Sequence, residues 1–305
     1  MRIAVIFNLY RPDTIGVYFE RALCQLGHEV LQVTPAQLAQ LTTPCDLYFR
    51  IDDGDYSSPP PSHLRPAVYW VSDTHLALKR IKPLSIRYDL VFCPMKDGVE
   101  SLKRAGADVV WIPGGCCDPE IHKRLDLERD LDIGFVGTDG GVPRKFYLQE
   151  LRERYPNSYI GQADYRNISD IYSRSKIGFS YAIRRETLTM RSLEIMACGT
   201  LCLTNPPKDD TVEVLGLQDR QHLVLYRSPG ELFQLIDHYL SHPRERTAIT
   251  EEGYKTAVGR LTYQHQLIQM LDIIEKKNLL SKAVLKQGVS SRFQEVIKGK
   301  SQESL

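Results

Sequence analysis

The sequence predicts an α/β protein built from two Rossmann-like domains whose parallel sheets face each other across a cleft. Three observations carry this expectation. The chain has 305 residues, more than one core of roughly 120–150 residues supports. Short apolar runs alternate with stretches of helical periodicity, the mark of βαβ units. The break at Pro113-Gly114-Gly115 ends one such series, and a second begins at Asp132. The expected limits are 1–118 for the N-terminal Rossmann-like domain, 119–275 for the C-terminal Rossmann-like domain, and 276–305 for a basic tail.

In order, the first series opens with a strand over 2–7 and a helix over 14–26, stopped by Gly27 just past its end. Strands follow at 29–34, 47–51 and 67–71. Residues 52–64 contain Pro59-Pro60-Pro61 and read as a turn-rich loop. Strands at 90–93 and 109–112 flank a helix near 97–104, and the charged stretch to about 130 reads as a linker. The second series runs strand 132–136, helix 144–154, strand 158–160, helix 168–173, strand 177–180, helix 190–198 and strand 201–204. A short strand at 222–226 precedes helices near 229–241, 244–258 and 262–276. The tail is rich in lysine. Two readings fit it: a frayed, solvated end, or a basic helix making peripheral contact with a membrane.

Composition narrows the function. Hydrophobic residues make up 42%, enough for two cores, and 39 basic side chains balance 38 acidic ones. A charge of +1 argues against a dedicated nucleic-acid binder, because phosphate backbones demand a basic excess. Seven cysteines without a C-x-x-C point to reduced, mostly buried thiols. Neither a signal peptide nor a transmembrane run is visible, so a cytoplasmic protein is expected.

Ligands of open parallel sheets bind beyond the carboxyl ends of the strands, so the loops that follow strands are the candidate sites. Gly137, Thr138, Asp139, Gly140 and Gly141 follow the strand ending at Val136 and lead into Arg144 and Lys145. Such a loop lets backbone N–H groups approach phosphates, and the two cations suit a diphosphate. An ordinary βα turn with a solvated Arg-Lys pair fits equally. Glu186 and Glu194 lie eight positions apart across a loop-to-helix junction that includes Arg191. A carboxylate suits a vicinal diol and a helix N-terminus suits an anion. An amphipathic helix with acids near its first turn is the competing reading. Asp73 and His75 follow the strand ending at Val71; they fit an acid–base site, and Asp73 also fits a helix cap. Asn8 to Arg11 occupy the same edge. Asp52-Asp53-Gly54-Asp55 reads as an acidic turn, and no metal is expected.

The stretch from Glu186 through Glu194-Ile195-Met196-Ala197-Cys198-Gly199 resembles the E-x7-E signature of family-4-like glycosyltransferases. The chain is most similar to the glycosyltransferase group named after the spore maturation protein CgeB. That likeness rests on Tyr69-Trp70 then Asp73, Tyr88 to Phe92, Pro113 to Asp118-Pro119, Asp132 to Thr138 and Met190 to Ile195. It spans roughly 1–271 and is more specific in the C-terminal half. The resemblance implies a GT-B fold with the donor nucleotide in the C-terminal domain. By position, Glu194 is implied to hold the ribose hydroxyls and Glu186 to face the donor sugar. Gly137, Thr138, Arg144, Lys145 and Arg191 are implied to surround the diphosphate. Thr187-Leu188-Thr189 stands where better-known enzymes have a Gly-aromatic-Gly turn after the first glutamate, and Arg144 and Lys145 are adjacent where the usual pair is separated.

The resulting expectation is a hexosyltransferase with no bound cofactor. It takes a nucleotide-diphosphate sugar, a UDP-sugar first, and delivers the sugar with retention to a glycan, lipid-linked or protein acceptor of the cell surface. Two other functions share the architecture: a sugar-nucleotide 2-epimerase, and a non-catalytic nucleotide-sugar-binding scaffold.

Overall fold

The computed structural model describes residues 1–280 apart from Arg11, Ser58, Arg185 and Glu186. The chain divides into two compact units, Met1–Ile112 together with the C-terminal segment from Tyr263, and Pro113–Thr262.

The first unit contains β1 (Arg2–Ile6), α1 (Ile15–Gln25), β2 (Glu29–Val33), β3 (Leu47–Ile51), β4 (Ala67–Trp70), α2 (Thr74–Ser85), β5 (Leu90–Cys93), α3 (Lys96–Lys103) and β6 (Val109–Trp111). All pairings are parallel and the sheet order is β2-β1-β3-β4-β5-β6. Strands β3, β4 and β5 are buried along their whole length, as covered parallel strands must be, which explains why they read as continuous apolar runs.

The second unit contains β7 (Leu131–Val136), α4 (Arg144–Arg154), β8 (Tyr159–Gly161), α5 (Ile168–Arg174), β9 (Ser175–Ser180), α6 (Met190–Ala197), β10 (Leu201–Thr204), α7 (Thr211–Val214), β11 (Val224–Leu225), α8 (Pro229–Ser241) and α9 (Pro243–Arg260). Its order, β11-β10-β9-β7-β8, is again parallel and repeats the plan of the first sheet. In both sheets the strand order reverses beside the first strand. The switch points therefore lie between β1 and β3, and between β7 and β9, which is where such sheets open a crevice.

The unit limits differ from the sequence expectation at both joints. The expected linker is anchored to the second unit: Cys117 N–H donates to Leu261 at 3.0 Å, and Cys117 pairs in a bridge with Thr262. The last helix, α10 (Tyr263–Lys276), returns to the first unit. Tyr263 stacks on Tyr18 at 5.0 Å and meets Phe19 edge-on at 5.8 Å, while Phe19 also touches Phe49 and Trp70. Such ring pairs contribute about 0.5–1.5 kcal/mol each beyond their buried area. The basic tail also starts later than expected. Lys277 pairs with Asp108 at 2.7 Å and Leu280 is buried. The remainder, with its expected membrane contact, lies outside the described residues, as does Glu186.

The seven cysteines are free thiols, five of them buried. Cys198 and Cys202 are core residues; burial pushes Cys202 up to about 12 and raises Cys198 further, so both stay protonated. No helix among the described residues is long and apolar enough to cross a membrane.

Candidate active site

In the second unit, the crevice between β7 and β9 is built by three short segments. The loop after β7 holds Gly137 with φ 151°, Gly140 with φ 62° and Gly141 with φ 81°. A side chain at Gly137 would meet Arg191 Nη2 at 2.5 Å, and one at Gly140 would run into the Arg144 guanidinium. Positive φ at all three favours glycine, and the two arginines run alongside the loop they shape. Arg191, in the first turn of α6, lies over the Phe135 ring at 4.8 Å, and its Nε donates to the Val136 carbonyl at 2.9 Å. That anchor aligns the guanidinium with the end of β7. Arg144 opens α4 and folds back, its Nε donating to the Asp139 carbonyl at 3.2 Å and Nη2 reaching Thr138 Oγ1 at 3.5 Å.

Loss of solvation and then the charge of Arg191 lower the pKa of Arg144. The two cations thus sense each other, and neither makes an ion pair with a described residue; Asp139, whose charge partly offsets that lowering, pairs with Arg152. Thr189 precedes α6 without capping it through its side chain, which bonds to Ser180 and Ser192. The first N–H groups of the helix therefore stay available to an anion. Lys145 is exposed, one position further round α4, and makes no ion pair with a described residue.

Glu194 lies one turn along α6 from Arg191, with 17% of its side chain exposed. Beneath it is buried His122, whose Nε2 sits 3.7 Å from Glu194 Oε1. The sequence reading missed His122, because it lies in a stretch that reads as charged linker. The available signal was Asp118-Pro119 just before it, since a turn there can bury the next few side chains.

In the first unit, the crevice between β1 and β3 is filled by the protein's own groups. Arg50 is buried in mid-strand and donates to the carbonyls of Ile6 at 3.0 Å, Ile51 at 2.7 Å and Asp55 at 2.7 Å, and to Asp53 at 2.6 Å. Asp53 also accepts from Asn8, through N–H at 2.5 Å and Nδ2 at 3.0 Å. Asp55 accepts from Ser57 and Asn8. Asp52 accepts from Gly54 and Ser72 and from the N–H of Asp73. The acidic turn is therefore a set of internal bonds that ties three loops together. It also fixes Asn8, which the sequence placed at a ligand edge.

Asp73 stands at the N-cap of α2, yet its side chain makes no capping bond, so the cap reading does not account for the residue. The residue lies just beyond the carboxyl end of β4. Loss of solvation pushes its carboxyl up, His75 pulls it back and Asp52 adds to the rise. His75 is thus close to Asp73, in the same turn.

A glycine-rich loop, two arginines without an ion pair to a described residue and a helix N-terminus thus come together at this switch point. Residues 120–272, half of the chain, match the family described as glycosyl transferase-like.

The chain belongs to the glycosyl transferase-like family.

Solved structures place its fold among GT-B glycosyltransferases. HepE of Anabaena, solved with UDP and glucose, is 12% identical with a TM-score of 0.58, covering 90% of this chain and 100% of its own. The sucrose-phosphate synthase of Thermosynechococcus elongatus is 13% identical with a TM-score of 0.60, covering 90% and 98%. A DNA-modifying β-glucosyltransferase studied with uridine diphosphoglucose is 13% identical with a TM-score of 0.58, covering 89% and 100%. No curated protein sequence matches the chain.

Proposed function

We propose that the protein is a hexosyltransferase that takes a UDP-sugar in the β7/β9 crevice of its second unit and delivers the sugar with retention to a glycan, lipid-linked or protein acceptor. The reading rests on one observation above the others: Arg144 and Arg191 converge beside Gly137 and Gly140 with no carboxylate among the described residues between them. Two such cations are stable together when an anion of about two charges joins them, and a diphosphate is that anion.

Arg191, Arg144, Thr138 and the N–H groups of the 137–141 loop would hold the diphosphate. As the bond from sugar to phosphate breaks, charge accumulates on the leaving oxygen. Donors fixed in place beforehand stabilise that charge without reorganisation. Glu194 would accept from the ribose hydroxyls, and Glu186 would face the donor sugar. Asp73 and His75 of the first unit are the candidates for the acceptor hydroxyl. The enzyme would use no bound cofactor, act in the cytoplasm on cell-surface glycans, and belong within its family to the CgeB-like group. UDP-bound relatives among the solved structures support the donor class.

The test is UDP release from UDP-glucose and other UDP-sugars against a panel of oligosaccharide, lipid-linked and peptide acceptors. Acceptor-dependent release with a retained anomer is expected. Interconversion of the donor sugar without acceptor marks an epimerase instead, and binding without turnover marks a scaffold.

A further inference from the structure

We infer that His122 is a positioning residue that sets the Glu194 carboxylate for the nucleotide ribose, an inference that rests on the donor-site reading above.

The case begins with the turn that carries the ring. Asp118 accepts at its carbonyl from Ile121 N–H at 3.0 Å and His122 N–H at 2.7 Å, while its carboxylate accepts from Glu120 N–H at 2.9 Å. The segment is then laced to α5. Ser169 Oγ donates to the Ile121 carbonyl at 2.6 Å and accepts from Lys123 N–H at 2.7 Å, and Ser173 Oγ accepts from Leu125 N–H at 2.9 Å. Asp118 and His122 end up buried, 6% and 1% exposed. A histidine held this way has one place to be.

Its proton is placed as well. Asp118 N–H donates to His122 Nδ1 at 3.1 Å. A ring nitrogen that accepts a hydrogen bond is unprotonated, so the ring carries its hydrogen on Nε2. That nitrogen lies 3.7 Å from Glu194 Oε1. The distance is longer than a formed hydrogen bond, as active-site contacts often are before substrate draws them in.

The surroundings explain why Glu194 needs such a donor. Glu194 is close enough to Tyr172, Cys117 and Cys198, all buried, for its charge to raise each of them. Tyr172 Oη is engaged as an acceptor by Val136 N–H at 3.2 Å, and the two thiols are weak donors. A donor from below at Oε1 fixes the plane of the group and leaves Oε2 and the second lone pair of Oε1 for a diol. A carboxylate in a fixed plane accepts from two neighbouring hydroxyls at once; one that rotates freely loses part of that selectivity to the cost of ordering it.

Two substitutions separate the halves of the imidazole. His122→Asn keeps a group able to accept from Asp118 N–H but is too short to reach Glu194. His122→Gln extends an amide donor to the place of Nε2. Titration calorimetry with UDP and with 2′-deoxy-UDP gives an affinity ratio for each protein, with the melting temperature followed alongside. We expect Glu194→Ala to bring the ratio close to one. His122→Asn should lower the wild-type ratio by about tenfold, and His122→Gln should stay within about threefold of wild type.

A wild-type ratio in folded His122→Asn overturns the inference while leaving Glu194 on the ribose. Equal loss in both His122 variants marks a packing role and overturns it too. An unchanged ratio in Glu194→Ala removes the ribose reading itself. Should His122→Asn fail to fold, the ratio in His122→Gln against that in His122→Met, which fills the same space without a donor, decides the point.

Discussion

The switch-point crevice of the first sheet holds Arg50 with its charge answered by Asp53, whereas the matching crevice of the second sheet holds Arg144 and Arg191 with theirs unanswered among the described residues. Both sit on the same strand order. In the first, every carboxylate of the 52–55 turn accepts from a neighbour in the fold, so the network holds loops together and leaves little to offer a ligand. In the second, glycines with positive φ shape the loop beside the arginines, and Asp139, which only partly offsets the lowered pKa of Arg144, pairs with Arg152. One topology thus yields a fastening in the first unit and, on the proposed function, a receptor in the second.

The comparison breaks if Arg50 is dispensable. Arg50→Met leaves Asp53 buried without its cation, and removing one partner of a buried pair costs about 3–5 kcal/mol. Urea unfolding should show that loss. The UDP affinity of the folded variant should stay at the wild-type value, because the crevice it disturbs is not the one that binds the nucleotide. Weakened UDP binding with unchanged stability would reverse the roles given to the two crevices.

Arg191→Ala sharpens the other side. If its guanidinium meets charge that grows as the glycosidic bond breaks, kcat should fall about 10²–10³-fold, more than donor affinity falls. Arg191→Lys should restore part of the rate, having the charge without the planar fork. Steady-state and binding measurements on both variants check this; equal losses in kcat and affinity would mean uniform binding only.

The smallest expected effect belongs to Asp73. Loss of solvation is the main reason its carboxyl protonates at a higher pH than an ordinary aspartate, with His75 opposing and Asp52 reinforcing. An ionised Asp73 accepts from an acceptor hydroxyl and a protonated one does so poorly. The KM for acceptor should therefore rise as pH falls through that raised value, by about tenfold, with kcat little changed. Asp73→Asn should flatten the profile; the same acidic rise in the variant would exclude Asp73 as its source.

Much of this architecture was legible in the sequence. Strands such as Leu47–Ile51, Leu90–Cys93 and Leu201–Thr204, and the helices Arg144–Arg154 and Pro229–Ser241, fall where periodicity and turn residues put them. These signals are local, set by burial of one run of side chains. The features that could not be read depend on partners far along the chain. Arg50 reads as a stray charge in an apolar strand until Ile6, 44 positions earlier, supplies a carbonyl. His122 reads as linker until α6 brings Glu194 to it. The closing helix joins the first unit because Tyr263 finds Tyr18 and Phe19, which no window of sequence contains. Of the candidate site, Arg144, Arg191, Gly137 and Thr138 come together, while Lys145 is exposed beside them in sequence.

The most direct test of the account compares UDP with uridine by titration calorimetry, in the wild-type protein and in the Arg144→Ala/Arg191→Ala double variant. If the second crevice is a diphosphate receptor, the wild type binds UDP at least about 100-fold more tightly than uridine. The double variant should lose most of that preference while binding uridine as before. A preference for UDP that survives removal of both arginines would contradict the account.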